Sequence, residues 1–169
     1  MTPVPDWFSA LGHNHGLANV VAFIANYGIF LSAMALVGAG WLHRNRPTLL
    51  IPFLVGALIA TVLDLLAART FFEVRPFVAL HAAPLVPHDP GDNAFPSDHA
   101  VSSAYVASFL YFVDVRWAML ATAVALMVGL ARITALLHWP QDVLVGWLIG
   151  SWSGTLAGLL TPRSDTRAK

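Results

Sequence analysis

The chain has 169 residues, of which 57% are hydrophobic and only 11% are charged, and its mean hydropathy is +0.69. So apolar a composition is typical of integral-membrane proteins and excludes an ordinary soluble domain. The formal net charge is zero and the nine basic residues are scattered, which argues against nucleic-acid binding, and the absence of cysteine excludes disulfides and thiolate metal sites.

Five apolar stretches reach, or nearly reach, the length of about 20 residues that a helix needs to cross a bilayer. In chain order they cover residues 17–41, 48–68, 99–113, 117–137 and 141–160. We therefore predict an all-α, integral-membrane bundle of about five transmembrane helices. A sixth span would have to lie in the first sixteen residues, where Asp6, His13 and His15 argue against it.

The same pattern predicts three parts of the chain. Residues 1–16 form an exposed or interfacial amino-terminal segment, 17–160 form the membrane domain, and 161–169 form a cytoplasmic tail. The first sixteen residues also lack the basic start of a cleavable signal peptide. Between the second and third spans lies a segment of about thirty residues, rich in Pro and His, which is the only long polar connection.

The positions of the basic residues predict the orientation. Six of the nine follow the first, third and fifth spans and so share one face: Arg44, Arg46, Arg116, Arg163, Arg167 and Lys169. The positive-inside rule makes that face cytoplasmic. The other three, Arg69, Arg75 and Arg132, fall at the opposite end with several acidic residues and histidines. The candidate chemistry is therefore expected on the extracytoplasmic side of the cell inner (cytoplasmic) membrane.

Three polar clusters meet at that end. The first is RPF, with Arg75; the second is FPSDHA, where we expect Pro96 to occupy the first helical position and the following amides to face outward. The third is RITALLHWPQD, which spaces Arg132, His138 and Asp142 as R-x5-H-x3-D. Arginine forks and helix N-terminal amides both favour phosphate, so the clusters predict a site for a tetrahedral anion.

The histidines of these clusters supply possible chemistry. His138 and Asp142 lie four residues apart, so the carboxylate can hold one imidazole nitrogen and leave the other as an oriented nucleophile. His99, at the same face, is suited to give a proton to a leaving oxygen and later take one from water.

The clusters resemble the three signature blocks of the type-2 phosphatidic acid phosphatase superfamily, K-x6-RP, PSGH and SR-x5-H-x3-D. Ala68, Asp98 and Ala131 stand where the blocks have Lys, Gly and Ser, and the FPSDH form is most similar to bacterial undecaprenyl-diphosphatases of the bacitracin-resistance type. The resemblance implies a nucleophile, an acid/base group and an orienting carboxylate at His138, His99 and Asp142. It implies phosphate contacts at six positions: Arg69, Arg75, Pro96, Ser97, Asp98 and Arg132.

The activity implied by this resemblance is hydrolysis of a polyprenyl (undecaprenyl) diphosphate to the monophosphate and inorganic phosphate. The reaction would pass through a phosphohistidine, need no metal or other cofactor, and recycle the carrier lipid of cell-wall synthesis. A phosphatidylglycerophosphate or phosphatidic acid phosphatase on the same scaffold is the close alternative, because the clusters contact phosphate and not the lipid. A small anion transporter or binding protein is the non-enzymatic alternative.

Three further features have two interpretations each. Asp64, inside the second span, is either functional or, as we favour, paired with Arg69 or Arg132. His81 and His88 either contact substrate or, more simply, are surface residues of the polar loop. The fifth span carries a small-residue face that serves either a homodimer or, as we favour, packing within the bundle; this face comprises Gly146, Gly150, Gly154 and Gly158.

Overall fold

A computed structural model describes residues 4–162 of the chain. In this range the protein forms seven α helices and one short 3₁₀ turn, with no β strand. The helices are α1 (Asp6–His13), α2 (His15–Leu42), α3 (Leu50–Thr70), α4 (Pro76–Ala79), α5 (Asp98–Leu110), α6 (Val115–Thr134) and α7 (Pro140–Leu159), and the turn is Pro47–Leu49. The expected tail residues Arg163, Arg167 and Lys169 lie outside the described range.

The five long helices correspond to the five expected spans, so the predicted fold class is confirmed. Among the described residues, three segments are long and apolar enough to cross a membrane by length and composition alone: His15–Leu42, Pro47–Thr70 and Val115–Thr134. Helix α5 has 13 residues, or about 20 Å at 1.5 Å per residue, and most of its side chains are buried by its neighbours. It is therefore the central helix of the bundle.

The glycine face of α7 packs against α5. A Cβ added at Gly146 would lie 2.8 Å from the carbonyl oxygen of Ser97, and one at Gly150 would overlap the carbonyl oxygen of Val101. Only glycine permits so close an approach of two helix backbones. The glycine face is thus covered by α5 inside the bundle, as the packing interpretation expects; formation of a homodimer stays a prediction.

The amino-terminal segment contains a short helix. Residues Asp6–His13 form helix α1, in which Phe8 and Leu11 are buried. Phe8 joins a cluster of apolar side chains at the end of the bundle that carries the polar loop, including Phe77 and Leu137. With eight residues, α1 is too short to be a sixth span.

The opposite end of the bundle is held by contacts between connections. His43, after α2, lies 3.2 Å from the carboxylate of Asp114, which precedes α6. Arg46 donates to the carbonyl of Pro162, beyond α7, at 3.1 Å. These contacts bring together the connections after α2 and α5 and the residues beyond α7, as alternating transmembrane helices require. The three signature blocks consequently lie together at the other end.

Candidate active site

Arg75 is held in the segment that joins α3 to α5. Its side chain is buried, and its guanidinium donates from Nη1 to the carbonyl of Leu137 at 3.0 Å and from Nη2 to the carbonyl of Asn93 at 3.1 Å. Burial lowers the pKa of Arg75, while nearby carboxylates oppose that shift. Its Nε finds no hydrogen-bond partner in the described part of the chain. Arg75 is thus a fixed cation with an N–H left for a further acceptor.

Arg132 is the second buried arginine of the site. It lies near the end of α6 and is 3% exposed. Its Nη1 donates to the carbonyl of Ala25 on α2 at 3.1 Å, and its Nη2 lies 2.9 Å from Nε2 of His138. Because a guanidinium only donates hydrogen bonds, Nε2 of His138 must be the accepting, unprotonated nitrogen.

The other ring nitrogen of His138 completes this arrangement. Nδ1 carries the proton and donates to the carbonyl of Ala94 at 2.6 Å. Burial, together with the positive charge of Arg132, lowers the pKa of His138 to about 2. The imidazole is therefore neutral at physiological pH, fixed in one tautomer, and presents the lone pair of Nε2, as a nucleophilic histidine requires.

Asp142 does not hold His138 by a direct hydrogen bond, contrary to the expectation from their spacing. Its Oδ2 lies 3.8 Å from Nδ1 of His138 and accepts from the backbone amide of Trp139 at 2.7 Å. The reason is local: Trp139 caps α7, and a carboxylate at the third helical position commonly bonds back to the cap amide. The Asp142 carbonyl also accepts from the amide of Ser97 at 3.2 Å, so this residue joins the second and third blocks.

The second block begins α5 in a different register from the one expected. Ser97 is the N-cap, with an extended backbone, and the helix starts at Asp98. Pro96 therefore precedes the cap and does not occupy the first helical position. The Ser97 side chain is fully buried, and its Oγ is without a hydrogen-bond partner among residues 4–162. Asp98 is exposed and His99 is half-buried.

The end of α3 contributes less than the sequence suggested. Arg69 is exposed in the last turn and makes no hydrogen bond or ion pair within residues 4–162. The ion pair expected between Asp64 and an arginine is wrong, because Asp64 pairs with no cation in that range and Arg132 is directed toward Ala25 and His138.

His88 is more closely linked to the site than a surface residue would be. It is half-buried, and burial together with the charges of Arg75 and Arg132 lowers its pKa. His81 is exposed, as expected for the loop. Throughout residues 4–162, no group of three or more His, Asp or Glu side chains lies close enough to share a metal ion.

Two residues that the sequence did not single out organise the site. Asn93 and Ala94 offer their backbone carbonyls to Arg75 and His138. A main-chain carbonyl leaves no trace in residue identity. The available signal was an amide side chain two residues before the second block, at Asn93.

A known protein superfamily matches most of this chain, including all three signature blocks. Residues 28–164 match the model of the PAP2 superfamily. The chain belongs to the PAP2 superfamily. The resemblance noted in the sequence is thereby confirmed, and the protein is an integral-membrane hydrolase of this superfamily.

Curated relatives in the superfamily span most of the chain. The undecaprenyl-diphosphatase BcrC of Bacillus subtilis is 32% identical, over 90% of this chain and 81% of its own length. An undecaprenyl-diphosphatase of Sulfolobus acidocaldarius is 28% identical, over 90% of this chain and 75% of its own.

Two solved structures share the PAP2 fold. The crystal structure of Aquifex aeolicus LpxE has a TM-score of 0.57 and 25% identity, covering 82% of this chain and 92% of that one. The phosphatidylglycerolphosphate phosphatase of Bacillus subtilis has a TM-score of 0.52 and 25% identity, covering 87% and 75%.

Proposed function

We propose that this PAP2 protein hydrolyses a polyprenyl diphosphate, undecaprenyl diphosphate in particular, to the monophosphate and inorganic phosphate. The observation that carries the proposal is the state of His138, whose Nε2 lone pair lies beside a buried arginine while Nδ1–H is held by a carbonyl. Curated relatives from two organisms bear the name undecaprenyl-diphosphatase, which favours this substrate over other lipid phosphates.

The two buried arginines and Ser97 would bind the terminal phosphate. In the structure, Nη2 of Arg132 occupies the lone pair of His138. Phosphate oxygens are stronger acceptors for a guanidinium than a neutral imidazole, so binding of substrate would draw Arg132 away and free Nε2. The same donors would then stabilise the charge that develops on the equatorial oxygens in the transition state.

The reaction would proceed in two displacements. Nε2 of His138 attacks the terminal phosphorus, the bond to the bridging oxygen breaks, and the lipid monophosphate leaves with a proton from His99. Water then attacks the phosphohistidine as His99 takes a proton back, releasing inorganic phosphate and restoring neutral His138. In total, one water is consumed for each diphosphate cleaved. Throughout, the carbonyl of Ala94 would hold the His138 ring in place, and the carboxylate of Asp142 would lie close to the protonated Nδ1.

We further propose that the site faces the extracytoplasmic side of the inner membrane, where the phosphatase would recycle the carrier lipid of cell-wall synthesis. Arg44, Arg46 and Arg116 lie at the other end of the bundle, and such basic connections favour the cytoplasm. The chain has no cysteine, so single cysteines at positions 81 and 44 can report the orientation. A membrane-impermeant maleimide on intact cells should label His81→Cys and not Arg44→Cys; the reverse would overturn the orientation.

The substrate assignment is tested by phosphate release from purified protein in detergent, with EDTA present. Polyprenyl diphosphate, phosphatidylglycerophosphate and phosphatidic acid are compared, and polyprenyl diphosphate should have the highest kcat/KM. A clear preference for phosphatidylglycerophosphate would instead favour the activity named for the solved Bacillus structure.

The chemistry is tested separately with two histidine variants. His138→Ala should lose turnover and acid-labile protein-bound phosphate, whereas His81→Ala, which changes an exposed loop histidine, should retain both. Full function in His138→Ala would favour an anion transporter or binding protein.

A further inference from the structure

Asn93 has every hydrogen-bonding position of its side chain in use. Its Nδ2 donates to the carbonyls of Ala68, at 2.9 Å, and Phe71, at 2.8 Å, where α3 ends. Its Oδ1 accepts from the amides of Glu73, at 2.9 Å, and Phe95, at 3.0 Å. A carboxamide has two donors and two acceptor lone pairs, so no other side chain of this size could make this set.

These bonds fix a segment whose carbonyls contact the reacting groups. The Asn93 carbonyl accepts from Nη2 of Arg75 at 3.1 Å, and the next carbonyl, that of Ala94, accepts from Nδ1 of His138 at 2.6 Å. The amide of Ala94 donates to the carbonyl of Glu73 at 2.9 Å, which adds a further bond between the segment after α3 and the segment before α5. Arg75 and His138 are thus both oriented by two consecutive peptide units.

We propose that Asn93 is a positioning residue for phosphoryl transfer. By tying its own segment to the end of α3, it sets where the phosphate-binding Arg75 lies relative to Nε2 of His138, and it keeps Nδ1 of His138 as the protonated nitrogen. Asn93 itself need not touch substrate. The inference rests on the proposed function, because its effect is defined through the phosphohistidine step.

The test compares Asn93→Ala with Asn14→Ala. Asn14 caps α2, where its Oδ1 accepts from the amide of Leu17 at 3.1 Å, and it lies outside the three blocks. Both substitutions remove an asparagine side chain that hydrogen-bonds to the main chain. Only Asn93 holds a segment whose carbonyls contact Arg75 and His138. The rate of phosphoenzyme formation, measured by rapid quench with labelled polyprenyl diphosphate on folded protein, should fall about 100-fold in Asn93→Ala, the usual effect of misplacing a reacting group by about 1 Å.

A spectroscopic measurement separates positioning from general destabilisation. The ¹⁵N chemical shifts of His138 should report a protonated Nδ1 and an unprotonated Nε2 in the wild type, and a mixture of tautomers in Asn93→Ala. If Asn93→Ala does not fold, Asn93→Asp is measured in the same way, since its carboxylate keeps both acceptor roles and loses both donors.

The possible results separate the positioning role of Asn93 from the proposed phosphatase function. Wild-type protein that forms no phosphoenzyme would overturn the proposed function. Wild-type protein that forms it, with an Asn93 variant within threefold of the wild-type rate and an unchanged His138 spectrum, would overturn the positioning role alone. An equal loss of rate in Asn14→Ala would also overturn it, because the effect would then be one of stability.

Discussion

Replacing Ser97 with alanine should make the protein more stable and less active. The Ser97 side chain is fully buried at the start of α5, and its Oγ meets no hydrogen-bond partner within the described residues. A buried hydroxyl without a partner costs free energy in the folded protein. The proposed hydrogen bond to the substrate phosphate would offset this cost when substrate binds.

Both effects have an expected size. Removing an unpaired buried polar group should raise the free energy of unfolding by about 1 kcal/mol, the low end of its desolvation cost. A hydrogen bond to a charged group contributes about 1.5–3 kcal/mol, so its loss should lower kcat/KM roughly 10- to 150-fold. The substitution should thus raise stability while it lowers activity. Observing both changes together would distinguish a substrate-binding hydroxyl from a structural one.

Ser153→Ala is the matched control. Ser153 lies on α7, is also fully buried, and its Oγ is equally without a partner in the described range. It follows Asp142 by eleven residues, or about 16 Å along the helix, so it is far from the site. Denaturation in detergent should show both variants to be stabilised, while phosphate release from polyprenyl diphosphate should fall only in Ser97→Ala.

Two results would refute this reasoning. If Ser97→Ala lowered the free energy of unfolding, the hydroxyl would be making a stabilising bond in the substrate-free protein. If its kcat/KM equalled that of Ser153→Ala, the hydroxyl would not contact the transferred phosphate.

Further predictions concern the arginine fork, helix packing and pH. Arg75→Lys, which lacks the fork, should lower kcat/KM for phosphate release about 10- to 150-fold. Gly150→Ala should lower the free energy of unfolding by about 2 kcal/mol in denaturant titrations, whereas Gly40→Ala, with open space at its Cβ, should not. The pKa of His138 falls from 6.5 to about 2 on folding, so the unfolded state binds more protons between these values. His138 should thus lower thermal stability as pH falls below about 6.5, by up to about 1.4 kcal/mol per unit, and His138→Gln should show a shallower slope than the wild type.

Sequence patterns were sufficient to predict the helices and to find the polar residues that the structure buries at one end of the bundle. Long apolar stretches have few other uses than crossing a bilayer, so all five long helices were predicted within a few residues. Arg75, Ser97, Arg132 and His138 came from the spacing of polar residues at one end of those stretches. The structure brings these four together as buried groups.

The partners of these residues could not be predicted, because they depend on competition between nearby bonds. A spacing of four residues allowed Asp142 to reach His138, yet the cap amide of Trp139 is closer to the carboxylate. The ring nitrogen then bonds to Ala94, which lies 44 residues away in the chain. Asp64 shows the same difficulty, since a plausible arginine partner is already engaged elsewhere.

The bond from Arg132 to the carbonyl of Ala25 has a consequence for how the protein could be divided. Helix α2 carries none of the three blocks, and Ala25 even precedes the region that matches the superfamily. A helix outside the half of the chain that holds all the signature residues therefore helps to hold Arg132. A chimera that joins that half to a foreign first helix would keep this bond only if the new helix packed with a main-chain carbonyl at the position of the Ala25 carbonyl.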